Sequence, residues 1–115
     1  MNSLMVTENE AQANAIAPRV SLNDICQNIA ERYDLTGADA VGYGAGYVVP
    51  IDSPLHHFSL CILVMKNGFV VIGKSASASP ENFNAELGKK FAYEDAVRQL
   101  WPLMGYALRN KLAGI

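Results

Sequence analysis

The tightest constraint on this chain is a dipeptide. Asn67-Gly68 stands between two apolar runs, His57 to Met65 (HFSLCILVM) and Phe69 to Ser75 (FVVIGKS). Asn-Gly readily adopts the positive-φ turn whose twist matches two antiparallel strands, so this spacing predicts a β-hairpin. A lone hairpin buries too little to be stable in water and needs a third strand and a helix. The segment Ala40 to Ile51, AVGYGAGYVVPI, is the candidate strand: Tyr43, Tyr47, Val48 and Val49 favour extended backbone. Gly42, Gly44 and Gly46 strip side chains from one of its faces, which implies close approach by a helix or a ligand. Pro50 and Pro54 bracket the loop that follows and put this strand at or near a sheet edge. A three-stranded antiparallel meander is expected.

Helical patterns flank the meander. Ser21 and Asp24 have the spacing of a capping box, Val20 and Ile25 can staple it, and Leu22, Ile25, Cys26, Ile29 and Tyr33 recur at three- and four-residue steps. A helix is therefore expected from Ser21 to about Asp34, ended by Gly37. Further on, Ser79 can cap and Pro80 suits a first helical position. An apolar stripe from Leu87 through Phe91, Val97, Leu100 and Met104 to Leu112 then predicts a long helix, with a break or kink at residues 99–102 before and at Pro102. The stripe is longer than three strands can cover, so pairing of two copies through the helix is the simplest remedy. The fold class is α+β: a meander packed by an N-terminal helix and a long, kinked C-terminal helix. Residues 1–18, with Glu8 and Glu10 and no basic residue, are expected as a flexible N-terminal arm that can be partly helical and can pack on a partner chain, and 19–115 as a single domain.

Composition narrows the function. With 50% apolar residues the chain is too apolar for wholesale disorder, and a formal charge of −2 argues against coating bulk nucleic acid. No apolar run is long enough to span a membrane, and no basic residue precedes Arg19, so a secretory start is not expected. Cys26 and Cys61 are too few for a disulfide framework and read as buried thiols in a reducing, cytoplasmic setting. His56 and His57 are adjacent, so on extended chain they point apart and make a poor metal pair. No nucleophile elbow, Cys-His signature or phosphate loop is present, and GYGAGY lacks the strand–helix context of a dinucleotide fingerprint. Glu94 and Asp95 read as a solvated helix face, with Arg98 pairing to Glu94 one turn back. Neither a catalytic group, nor a metal, nor a cofactor is expected.

The segment Ser75 to Asn84, SASASPENFN, is more informative. A strand ends and a helix begins there, bringing hydroxyls (Ser77 and Ser79 among them) to a helix N-terminus that suits an anion. Phe83 can stack on a base and Asn82 or Asn84 can read its edge; equally, Ser79 can serve only as a cap and Phe83 only as a core plug. Arg109, near the last helix end, complements the dipole, and in a dimer it can face the serine-rich turn of the other chain.

Residues 66–112 carry an Asn67-Gly68-Phe69 hairpin, a Ser79-to-Phe83 SPENF turn, and Trp101-Pro102-Leu103, Gly105-Tyr106 and Leu108-Arg109 near the end. In these motifs the chain resembles a small conserved family of tailed-phage and prophage proteins of unknown function. The order of hairpin, turn and long helix is also similar to the phage anti-Thoeris sponge proteins. Those are homo-oligomers that sequester cyclic ADP-ribose isomers, and some hold cyclic oligonucleotides. That similarity implies a homodimer or higher homo-oligomer that binds such a signal without turnover, with Phe83 stacking on adenine and Arg109 meeting phosphate. Asn84 as a base-reading group extends it. Ala113, one turn after Arg109, stands where a second basic residue would help. The alternative expectation is a module that docks on a host protein through the long helix and the N-terminal arm. A nuclease or deaminase has no metal or acid–base constellation to support it.

Overall fold

The computed structural model describes residues 3–14 and 17–115. In chain order the elements are helix α1 (Ser3–Asn14), helix α2 (Leu22–Gln27), strand β1 (Ile29–Thr36) and a one-turn helix α3 (Gly37–Asp39) that runs into a π-helical turn (Ala40–Gly44). A 3-10 turn (Pro54–His57), strands β2 (Phe58–Met65) and β3 (Val70–Ala76), a second 3-10 turn (Pro80–Asn82) and helix α4 (Ala85–Leu112) follow. The sheet is antiparallel in the order β1-β2-β3. The hairpin forms as expected. Gly68 has φ +88°, Met65 N–H donates to Phe69 O at 2.8 Å, and Asn67 Oδ1 accepts from Phe69 N–H at 2.9 Å.

The third strand comes from a different place. The capping box at Ser21 and Asp24 is present, but α2 ends at Gln27, and residues 29–36 pair with β2 instead of continuing the helix. Asn28 closes α2 by donating from its side chain to Asp24 O at 2.7 Å. Beyond Ile29 the would-be helix offers only Tyr33 to a core. As strand, the same residues complete the ladder that β2 needs, Tyr33 opposite Ile62 and Leu35 opposite Leu60. The segment Ala40 to Ile51, expected as that strand, is a π-helical turn and open loop with Gly46 at φ +79°. Its glycines leave too few side chains to hold a ladder together.

One face of the sheet is covered. Strict alternation buries Ser59, Cys61, Leu63 and Met65 of β2, with Val71 and Gly73 of β3, beneath Ala92, Ala96, Val97 and Leu100 of α4. The crossing is backbone on backbone at Gly73. A Cβ there would fall 2.0 Å from Ala92 O and 2.5 Å from Ala96 N, so only glycine fits. No break interrupts α4 between Ala85 and Leu112, although Pro102 lies within it. The carbonyl that Pro102 cannot satisfy belongs to Arg98, an exposed residue within reach of solvent.

Within the stretch 1–18, expected as a flexible arm, residues 3–14 form α1 and dock on the core through buried Leu4. Residues 1, 2, 15 and 16 lie outside the described residues. Glu8 of α1 accepts from the Arg19 guanidinium and from Leu22 N–H. The Arg19 hydrogen bond is the largest influence holding the Glu8 carboxyl below its ordinary 4.5, with the Leu22 N–H adding to it against the opposing effect of burial. Docking of α1 also overturns the solvated reading of Glu94, which is 3% exposed and accepts from Ser3 Oγ at 2.9 Å. Arg98 pairs with Glu94 at 3.8 Å. Asp95 is likewise engaged: its Oδ2 accepts from Lys74 N–H at 2.9 Å, while Gln99 donates to Ile72 O at 2.7 Å. Together these two side chains cap the outer edge of β3.

Cys26 departs from the expected burial. It is exposed beside Tyr93 OH at 3.5 Å, with Arg32 lying 4.1 Å over the Tyr93 ring. Cys61 is buried, and burial pushes its thiol up to about 11.

Candidate functional site

The end of the sheet where Ser59 pairs with Ser75 lies under the start of α4, and a recess of about 170 Å³ opens between them. Its walls include His57, Ser59, Ser75, Ser77, Asn82, Phe83, Asn84 and Phe91. Pro80 begins the 3-10 turn, whose last bond, Phe83 N–H to Pro80 O at 3.1 Å, fixes where Phe83 leaves the turn. The half-buried Phe83 ring stands 5.0 Å from the His57 ring, tilted by 46°, which makes an aromatic wall with one polar member.

Asn84 is the N-cap of α4. Its backbone is extended, its Oδ1 accepts from Leu87 N–H at 3.1 Å, and its carbonyl accepts from Gly88 N–H at 2.8 Å. The cap occupies the side-chain oxygen and leaves the amide NH₂ for other partners. The N–H groups of Ala85 and Glu86, at the positive end of a 28-residue helix, have no partner within it.

At the floor of the recess is a residue that sequence reasoning passed over. Ser59 is 4% exposed, and its hydroxyl lies over Gly88 at the floor of the recess. A Cβ on Gly88 would come within 2.2 Å of Ser59 Oγ, so this glycine makes the room. The signal was present in the strand pattern: Ser59 shares the parity of Cys61, Leu63 and Met65.

Of the residues nominated from sequence, Phe83, Asn84 and Ser77 line the recess together. Ser79 caps the 3-10 turn through its backbone, accepting from Asn82 N–H at 3.2 Å, and does not line the recess. Arg109 is exposed near the opposite end of α4, about 37 Å along the helix from Asn84 at 1.5 Å per residue. One chain therefore does not bring Arg109 to Phe83.

A second, larger hollow of about 380 Å³ lies toward that far end, between the hairpin and α4, lined by Met65, Lys66, Phe69, Leu100, Leu103 and Met104 among others. Among the described residues, no three His, Cys, Asp or Glu side chains gather as a metal site, and no helix is long and apolar enough to cross a membrane.

Fold and recess together define a two-layer α+β protein, three antiparallel strands under one long helix, with a hydroxyl- and aromatic-lined hollow at the helix start. The chain belongs to the phage protein (N4 Gp49/phage Sf6 gene 66) family, whose model matches residues 20–112. The match spans everything from α2 to the end of α4 and leaves α1 outside. No curated protein and no solved structure matches the chain.

Proposed function

We propose that this phage protein is a non-catalytic binder of a cyclic nucleotide signal, such as a cyclic ADP-ribose isomer, acting in the cytoplasm of the host cell. The observation that carries the reading is the recess at the start of α4. It joins an aromatic ring, an amide, three serine hydroxyls, one of them on a buried serine, and free helix N–H groups. Phe83 offers a stacking face, the Asn84 amide a donor to a base edge, and Ser59, Ser75 and Ser77 donors to phosphate or ribose oxygens.

At about 170 Å³ the recess is smaller than the ~300–1,000 Å³ of ordinary small-molecule pockets, so one chain holds only part of such a ligand. A second copy supplies the rest. Leu87, Phe91, Arg98, Pro102, Gly105 and Arg109 fall on one line of α4 by their three-, four- and seven-residue steps, with the start of α1 beside it, where Arg98 donates to Ser3 Oγ. If two α4 helices cross antiparallel at Arg98, Phe91 meets the partner's Gly105 and Leu87 meets the partner's Arg109. Gly105 has nothing within 4 Å of a would-be Cβ and so leaves room for that ring. The partner's Arg109 then stands at the mouth of the recess, where its fork can take a phosphate with two hydrogen bonds. Each Arg98 is held by its own Glu94, which moderates the like-charge contact at the crossing.

Calorimetry with cyclic ADP-ribose isomers and cyclic di- and trinucleotides tests the reading, with recovery of unchanged nucleotide as the check on turnover. Binding of at least one, weakened by about 1–3 kcal/mol in Phe83→Ala and in Arg109→Ala, supports it. Absence of binding by all of them at ~100 µM, where micromolar sites saturate, removes it.

A second reading rests on the larger hollow. Leu103, Tyr106 and Leu112 are exposed on the part of α4 that overhangs the sheet, beside about 380 Å³ of mostly apolar space. An amphipathic segment of a host protein fits such a groove. Stoichiometric retention of one host protein from lysate, with no nucleotide bound, favours that reading over the first.

A further inference from the structure

The face of the sheet opposite α4 is as apolar as the covered one, and among the described residues no helix crosses its middle. Leu60, Ile62 and Val64 of β2 and Val70 and Ile72 of β3 point there by the alternation that buries their neighbours, and Tyr33 of β1 joins them by pairing with Ile62. The β2 residues are half-buried, while Val70 and Ile72 remain 54% and 50% exposed. The whole molecule is extended as well. Its radius of gyration is 16.8 Å, against about 13 Å for a compact domain of this length.

Two charges mark this face, and their placement selects the occupant. Glu31 lies on β1 opposite Val64, and Lys74 lies on β3 opposite Leu60. Tyr33 OH donates to Glu31 Oε1 at 2.7 Å, which fixes that carboxylate on the open side. Ile62, between Tyr33 and Ile72 in the ladder, is the midpoint of the diagonal joining the two charges. From strand spacings of about 4.8 Å and rises of about 3.4 Å, a two-fold axis through Ile62 and across that diagonal turns the strands by roughly 70°. It brings the partner's Lys74 over Glu31 and the partner's Glu31 over Lys74. The angle is near the orthogonal class of sheet packing.

The area argument points the same way. The face alone has a flat footprint of roughly 340 Å², under half the ~800 Å² per partner of a stable interface. The same rotation carries the partner's Ala40–Ile51 loop alongside β1, the edge that Asp95 and Gln99 of α4 do not cap. In that loop Val48 and Ile51 are each 96% exposed and Tyr43 and Tyr47 are exposed too, so it brings the apolar surface the face lacks. We infer that the open sheet face is a homotypic interface in which a second copy packs near-orthogonally about Ile62, registered by reciprocal Glu31–Lys74 pairs. This interface is separate from the α4 pairing and does not depend on the ligand reading. With both in use, the smallest closed assembly is a tetramer.

The test is the mass in solution by light scattering at ~100 µM, with circular dichroism as the check on folding. In a Gly105→Leu background, which removes the α4 pairing, the chain is expected to remain a dimer, and adding Ile62→Glu is expected to leave a monomer. Glu31→Lys and Lys74→Glu are each expected to weaken dimerisation about tenfold or more, and Glu31→Lys with Lys74→Glu to restore it, because the pairs re-form with charges exchanged. A monomer in the Gly105→Leu background, a folded Ile62→Glu chain that stays dimeric, or a double charge exchange no better than either single change overturns the inference. If Ile62→Glu does not fold, the three charge variants decide alone.

Discussion

The two faces of the sheet are built from the same strands and meet opposite fates. Along β2, Cys61, Leu63 and Met65 are sealed under α4, while Leu60, Ile62 and Val64, of equal apolarity, face outward. The difference is made by Gly73, which lets the α4 backbone come down onto one side only. Apolar content therefore states how much surface a chain must cover; a close-approach point states which surface it covers itself. A strand apolar on both faces calls for two layers, and this chain supplies one.

Truncation on the two faces should break that symmetry most clearly. Leu63→Ala, fully buried, is expected to cost about 2–5 kcal/mol in urea denaturation at low protein concentration. Ile62→Ala, on the other parity of the same strand, should cost less under the same conditions, since part of its surface stays in water. Equal losses would mean that both faces are covered.

Next in size is the crossing itself. Gly73→Ala is expected to destabilise by about 1–3 kcal/mol, because its Cβ meets backbone atoms of Ala92 and Ala96 that can yield only by lifting the helix. Gly105→Ala, farther along α4, meets nothing and should be neutral or slightly stabilising in the isolated chain. Thermal denaturation of both variants, side by side, checks the contrast.

Smaller again is the loss of the α4 cap. Asn84→Ala removes the acceptor for Leu87 N–H and should cost about 1 kcal/mol, with Asn84→Asp retaining most of it. Ligand affinity measured on the two variants separates the cap from base reading, because a carboxylate at this position keeps the acceptor and loses the amide donor.

The smallest effect is local and depends on pH. Glu8 is held below its ordinary 4.5 by Arg19 and Leu22. Its contribution to docking of α1 is complete above that ordinary value and is lost as pH falls through the depressed one. Hydrogen exchange in α1 should therefore quicken on acidification in the native chain. In Glu8→Gln it should already be quick at neutral pH and change little.

Local chemistry was legible wherever a few adjacent residues decide a conformation. Asn67-Gly68 makes the hairpin, Ser21 and Asp24 make a helix start, and Pro80 opens the turn that leads to Phe83. Part of the recess was legible for the same reason, since Ser77, Phe83 and Asn84 sit in one short segment between strand and helix. What could not be read locally was choice between competing periods. Ile29 to Thr36 fits the end of an amphipathic helix, yet it becomes the strand that pairs with β2. Glu94 looks like a solvent-facing acid until α1 lies over it. Ser59 and His57 join the recess only because the far end of β2 lies beneath the first turn of α4.

By itself, then, the order of residues determined the turn types, the caps, the alternation that buries every second residue of β2, and an α+β class. These depend on backbone sterics and hydrogen bonds within a few positions of the chain. Only the tertiary structure decided which segment serves as third strand, which sheet face is covered, and that Arg109 lies a helix length away from Phe83. Those outcomes depend on burial and contact between residues distant in sequence, where several arrangements satisfy the local rules and packing selects one.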